Sequence, residues 1–586
     1  MKHFHLTKDP TKESAAPVQA AQSNETARVP VSEAPAAPAA LAALQPQPAP
    51  AASALKPAPA ARDVALSKNT ALISVLVIIS RLTGFVRTWA QAYALGVTVI
   101  ASCYSVANNL PNQLYELVIG GMLVTAFLPV YLSVKAKLGR AGANRYASNL
   151  VTIVFVLMLA CTLLAAFFAY EVVFTQSFSA HKGFDVDLCV YFFRFFAIEV
   201  VLYALSSLVS GILNAERDYF WSSASPIFNN IVTIASFLAY AYLAKTNAQL
   251  ALLILAVGNP LGVLIQVLMQ VPSLYAHGIS IRPYINLKDP QLKETLSIGL
   301  PSLVVMLCCF ATVSVQTSQA LSVRPEGASI AFYARLWFTL PYAILAVPIT
   351  TAMFTELSAD IADNNMRSYT RGIEEGSSKI LFFMIPFACF LVIYALPLVR
   401  FMAAGNFTPD QLAITSLYLI SLSLGLPAYA LCMYLQKIAS SLREMGRYAA
   451  ITVLASIVQV LVCLYLTSWG GLFIVGFSSC IMFLVVDISC FIWLFRKFST
   501  LSLRALISTI IRAGLLGCAG SLAGIGVLAL LRAQDMLTSA SLQLNLLSLV
   551  GLLVMSGGVA CVVSFGGAWV LHMPEIQFVA HILKRK

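Results

Sequence analysis

Residues 70–95 read TALISVLVIISRLTGFVRTWAQAYAL, an apolar run of helical length that carries two arginines, Arg81 and Arg87, within it. About 20 apolar residues suffice for a helix to cross roughly 30 Å of hydrocarbon. Runs of this kind recur along the rest of the chain, separated by short polar breaks. They fall at 70–95, 98–134, 147–174, 188–214, 222–244, 248–274, 294–321, 328–357, 379–402, 410–438, 448–468, 471–495, 506–531 and 543–571, fourteen in all. An all-α integral membrane protein is the fold class that this pattern implies.

The composition requires lipid as solvent. Of the 586 residues, 59% are hydrophobic and 11% charged, against about a quarter charged in ordinary soluble domains. The net charge of +12 does not signal nucleic acid, because Lys and Arg are scattered through short inter-run segments and form no dense basic stripe. Basic residues collect instead on alternate breaks. With the N-terminus on the cytoplasmic side, 27 of the 37 Lys and Arg lie on that side, five lie opposite, and five lie within the runs. An odd number of crossings would invert every later loop and erase the asymmetry, so both termini are expected in the cytoplasm.

Residues 1–67 are rich in Ala, Pro, Gln and Ser and nearly free of large apolar side chains, which predicts a disordered cytoplasmic tail. The six histidines lie in tails or breaks, so neither a metal site nor histidine acid–base chemistry is expected inside the bilayer. The twelve cysteines lack ligand spacing and read as small hydrophobic side chains. GxxxxGK[ST], HExxH and GxSxG are all missing, which argues against ATP hydrolysis and intramembrane hydrolysis by those routes.

A weak repeat spans the chain. Run two holds Leu110-Pro111 and then Thr125-Ala126-Phe127; run eight holds Leu340-Pro341 and then Thr351-Ala352-Met353. The two runs are six apart and share a direction, as two parallel six-helix lobes require. The expected division is a tail (1–67), a first lobe (68–276), a second lobe (277–498) and two additional helices (499–586).

Ionisable groups within the runs are costly, from about 2.5 kcal/mol each, and therefore tend to face a cavity or a partner. They are Arg81, Arg87, Glu116, Arg194, Glu199, Arg335 and Asp487, with Arg512 nearer an edge. Arg81 and Arg87 are separated by about 9 Å along a helix and about 120° around it, so they can flank one anionic group. Guanidinium grips phosphate oxygens in a bidentate manner, and Gly84 between them permits close approach. A structural role is the competing account, in which both arginines pair with Glu116 or Asp487. Glu116, Glu199 and Asp487 are candidates for ion coupling or charge balance, and Arg194 is a secondary basic site or a snorkelling side chain. Prolines within the runs, among them Pro111, Pro226, Pro341 and Pro427, predict bends.

Residues 80–87 together with Asn109-Leu110-Pro111-Asn112 resemble the opening of the MurJ (MviN) lipid II flippase family. Gly211-Ile212-Leu213-Asn214, Gln270-Val271-Pro272 and Arg282-Pro283 through Asn286 are similar to it in order and spacing, so the likeness covers roughly residues 70–500. The resemblance implies two six-helix lobes around a cavity plus two C-terminal helices. It also implies movement of the undecaprenyl-diphosphate muropeptide to the outer leaflet, with Arg81, Arg87, Arg335 and Asn112 as substrate contacts. Ser102 stands where many members carry an acid, Tyr115-Glu116 where many carry two bases, and Arg335 lies one position from a common Asp-Arg pair. No cofactor is expected; the drive is a coupling cation or the membrane potential, and the partners are lipid II, membrane lipids and cell-wall synthesis proteins. An ion-coupled drug or polyprenyl-lipid exporter of the same superfamily and a non-transporting scaffold are the rivals.

Overall fold

The computed structural model describes residues 61–120, 127–403, 406–531 and 546–576, and every regular element among them is helical. In chain order these are α1 (Ala61–Leu95), α2 (Val99–Tyr115), α3 (Leu128–Phe167), α4 (Ala169–Phe174), α5 (Val186–Phe196), α6 (Glu199–Ala215), α7 (Tyr219–Leu243), α8 (Ala248–Leu268) and α9 (Val271–Ala276). The second half follows with α10 (Pro290–Val323), α11 (Gly327–Pro341), α12 (Val347–Ala362), α13 (Met366–Ile393), α14 (Ala395–Ala403), α15 (Pro409–Ser423), α16 (Leu426–Ser441) and α17 (Met445–Lys497). After α18 (Leu503–Leu530), Leu546–Cys561 and Gly567–Val570 close the described chain. Residues 1–60 of the expected tail lie outside the described residues, and α1 takes in 61–67.

Each of the fourteen expected runs is helical through most of its described length. Ten helices are long and apolar enough to cross a membrane, eleven with the bent pair Pro409–Ser423 and Leu426–Ser441, so the count of fourteen is not reached on length and composition. One cause is α17. At 1.5 Å per residue its 53 residues would reach about 80 Å if straight, far more than a bilayer holds. The chain reverses at Gly471 (φ 55°, ψ −143°), and Gln459 Nε2 donates across the reversal to Ser479 Oγ at 3.3 Å. Two expected runs are thus the arms of one hairpin. A second cause is α2, 17 residues long and continued by a π-helical turn at Glu116–Gly120.

Side chains written at the breaks start the helices. Thr98, Asp185, Asn247, Asn365 and Ser502 each accept a hydrogen bond from a backbone N–H of the first turn, and Thr408 and Gln411 form a reciprocal capping box ahead of Pro409. The turn between α6 and α7 closes with Arg217 in the left-handed region (φ 64°), where Arg217 N–H donates to Asn214 and Asp218 N–H to Leu213. Between α16 and α17, Arg443 (φ 57°) donates to Ser440 and Glu444 to Ala439. These turns occupy equivalent places six runs apart, and the same C-cap in both supports the repeat.

The apolar residues divide between a core inside each half and an outer belt. Tyr104 packs edge-on against Phe192, Phe196 and Phe237 in the first half, while Tyr333, Tyr369, Tyr418 and Tyr434 are buried in the second. Leu163, Leu515, Leu522 and Val554 are exposed, which only a lipid surround satisfies at this density. Exposed Tyr242 and Trp469 ring one end of the bundle and Tyr275 and Trp569 the other, the placement of aromatic belts at two interfaces.

The connector between the halves is fastened to the first. Asn149 Nδ2 donates to Asn286 O (3.0 Å) and its Oδ1 accepts from Asn286 N–H (2.7 Å); Ser148 Oγ accepts from Arg282 N–H (3.1 Å); Arg145 donates to Tyr284 Oη (2.7 Å). The segment 282–286 is thus held against α3 by polar contacts, which hydrophobicity does not reveal.

Candidate functional site

A cavity of about 190 Å³ lies between the halves. α2 and its π-helical extension supply Asn109, Asn112, Gln113, Glu116 and Leu117; α10 supplies Met306, Cys309, Phe310 and Val313; α11 supplies Arg335. Five of the ten lining residues are amides or charged, so the space suits a polar head group held among apolar helices. Asn112 Nδ2 donates to Glu116 Oε1 at 3.2 Å, and Arg335 donates to Gln316 Oε1 at 3.0 Å. Gln316 is in turn fixed on the α17 hairpin, donating to Ser479 Oγ (2.8 Å) and Val475 O (2.9 Å). This places Arg335 on a supported wall, and Gln316 is a residue that sequence reasoning missed because a lone amide in a long apolar run carries no spacing signal.

Asn112, Glu116 and Arg335, three of the expected site residues, thus share one cavity. Arg81 and Arg87 are not on its lining: Arg81 is exposed and Arg87 half-buried on α1. Neither enters an ion pair among the described residues. Arg87 lies within electrostatic range of Glu199, which is fully buried and accepts from Asn259 Nδ2 (2.8 Å) and Tyr203 Oη (3.3 Å). Gly84 admits α7, with Asn230 Nδ2 donating to Thr83 Oγ1 at 3.0 Å. Asp487 is buried inside the second half and its Oδ1 has no hydrogen-bond partner. Arg194 is exposed on α5, away from the cavity lining. Of the eight groups singled out within the runs, Arg81, Arg87, Glu116, Arg194, Glu199, Arg335, Asp487 and Arg512, only Arg512 is ion-paired among the described residues, to Glu575 at 3.2 Å.

Polar contacts between the halves gather at the end of the bundle where α1 passes into α2. Tyr333 Oη donates to Gly96 O (3.0 Å), Ser329 N–H to Ser102 Oγ (3.0 Å), Gln411 Nε2 to Val97 O (2.8 Å) and His181 N–H to Leu321 O (2.9 Å). Asn406 donates to Tyr93 O beside them. Gly96 (φ 59°) needs its glycine here, because it reverses the chain against the carbonyl of Asn406. Ser102, conspicuous in the sequence as a departure from an acid, is part of this seal.

At the opposite end, Lys135 and Tyr131 on α3 hold Glu216: Lys135 Nζ lies 2.6 Å from Oε2, and Tyr131 Oη donates to Oε1 at 2.9 Å. Burial opposes ionisation of Glu216, but the hydrogen bonds from Lys135 and Tyr131 outweigh it, so its carboxyl is held below the usual range.

Two repeated helical bundles in a membrane, closed on each other at one end with a polar cavity between them, define a multi-pass transporter fold. The family profile described as "Lipid II flippase MurJ" matches residues 91–550. The chain belongs to that family. It is 27% identical over 384 residues to "Probable lipid II flippase MurJ" of Rhizobium meliloti (strain 1021), covering 63% of this chain and 69% of that one. With the protein of the same description from Rhizobium tropici it shares 24% over 516 residues, 86% and 94% of the two chains. Its fold is similar to that of "Lipid II flippase MurJ, inward closed conformation", with a TM-score of 0.67 at 19% identity over 85% of this chain and 99% of the other. An inward-facing multidrug resistance MATE family transporter of the MOP superfamily aligns with a TM-score of 0.60 at 14% identity, covering 73% and 94%.

Proposed function

We propose that this protein moves lipid II, a muropeptide carried on a polyprenyl diphosphate, from the inner to the outer leaflet of the bacterial cytoplasmic membrane. The observation that carries this is the family match over residues 91–550, whose halves enclose a cavity with Arg335 on one wall and amides on the other. The basic end, with Lys135, Arg140, Arg145, Arg217, Arg443 and Lys497, faces the cytoplasm together with both termini. The Tyr333–Gly96 seal then faces outward, which is the arrangement for taking up cargo from the cytoplasmic leaflet.

Transport follows alternating access. The head group enters between the halves, its diphosphate meets Arg335 and, as the halves rock, Arg87 and Arg81, while the polyprenyl chain stays in lipid. The protein makes and breaks no covalent bond of its cargo. A potential of 100 mV is worth about 2.3 kcal/mol per charge carried across, enough to bias the return of an emptied cationic cavity. A coupling cation would engage Glu199, within electrostatic range of Arg87, or Asp487, whose Oδ1 has no hydrogen-bond partner among the described residues. Enzymes that build and polymerise the muropeptide are the partners this places nearby.

The test is depletion of the native protein with complementation by Arg87→Ala/Arg335→Ala, with lipid II measured in the outer leaflet. Loss of export at a normal level of folded protein is expected. Full export by the double variant would remove the phosphate-binding role.

A further inference from the structure

The cavity carries one feature that a receptor for diphosphate alone does not need. Among the described residues that line it, the two ionisable side chains are of opposite type and stand on opposite halves: the acid Glu116 on the π-helical extension of α2, and Arg335 on α11. They form no ion pair with each other, and each is engaged by an amide of its own half, Asn112 for Glu116 and Gln316 for Arg335. Glu116 is exposed to the cavity and one of its oxygens has no hydrogen bond among the described residues. An acid in this place repels a diphosphate, so a purely anionic cargo is better served without it.

Cross-linking of peptidoglycan requires a nucleophilic amine on the stem peptide, so the head group brings a primary ammonium as well as its phosphates. We propose that Glu116, with Asn109, Asn112 and Gln113 around it, is the subsite for that ammonium, while Arg335 faces the anionic part of the same molecule. Carboxylate and amide oxygens on one wall accept from the three N–H donors of an ammonium, and the guanidinium on the other meets phosphate. A cargo with both charges bridges the halves; a polyprenyl phosphate without the amine engages only one. This inference rests on the lipid II reading and deepens it.

The experiment uses the purified full-length protein in lipid nanodiscs and two probes: lipid II with its free stem-peptide amine, and the same lipid II with that amine acetylated. Wild type is expected to bind the free-amine form about tenfold more tightly, the worth of one charge-assisted hydrogen bond. Glu116→Gln is expected to bind the two forms alike, and Glu116→Lys to favour the acetylated one. Equal binding of both forms by wild type, or the preference persisting in Glu116→Gln, overturns the ammonium subsite and leaves the flippase reading standing. Failure of wild type to bind either form overturns both.

Discussion

Replacing Gly471 by Ala isolates backbone strain from packing. The residue sits at φ 55°, ψ −143°, a conformation that side chains rarely adopt, while the position its Cβ would take is open apart from Val323 Cγ1 at 3.8 Å, an ordinary contact. Nothing has to move to admit the methyl, so the cost is conformational alone, about 1–3 kcal/mol. On a unit of 150–250 residues each kcal/mol lowers a melting midpoint by about 2–4 °C. Thermal unfolding of the purified protein in detergent should therefore fall by a few degrees to about ten. A slipped hairpin would also lower the yield of a Gln459→Cys/Ser479→Cys cross-link, since these side chains meet across it at 3.3 Å. Gly514→Ala is the control: it is helical with nothing within 4 Å, and Ala there should be neutral or stabilising by up to about 1 kcal/mol. A Gly471→Ala protein as stable as Gly514→Ala would refute the account of α17 as a hairpin reversed at its glycine.

Three further outcomes are expected. Gly327→Ala directs its methyl into the backbone carbonyl of Ala320, which cannot rotate away, and should cost at least about 1–3 kcal/mol, read as a lower yield of folded protein. Tyr333→Phe removes the donor to Gly96 O and should loosen the seal by about 1 kcal/mol, roughly fivefold in population; labelling of Cys309 in a variant lacking the other cysteines should rise from the outer side, and no change would exclude Tyr333 from the seal. Glu216→Gln should destabilise at neutral pH. Because the folded carboxyl titrates below its unfolded value, the stability it lends is complete above the unfolded range and fades as pH falls through the folded one, so melting curves of variant and wild type should converge in acid. Curves that stay parallel down to pH 3 would remove the Lys135 pairing as the cause.

Much of the fold was written in hydrophobicity and punctuation. Apolar runs located the helices, while the caps that start them, Thr98, Asn247 and Thr408, emerged from the structure, although a cap acts within one turn of its own position. The reversal within α17 was legible too, because the runs 448–468 and 471–495 part at Gly470-Gly471; only the left-handed φ by which Gly471 turns the chain was not. Half of the site was also legible, since cost alone flags Glu116 and Arg335 in an apolar setting. That the two share a cavity while Arg81 and Arg87 stand off its lining depends on how the halves are docked, and this is fixed by backbone carbonyls at Gly96, Val97 and Leu321 that no residue type advertises.

Each half carries a wider, π-helical turn beyond its Leu-Pro step, described at Glu116–Gly120 in one and at Tyr342–Ala346 in the other. A π turn amounts to a single surplus residue in an α-helix, removable by one deletion. Such a deletion would rotate everything beyond it by about 100°, so the face each helix presents past that point hangs on one residue.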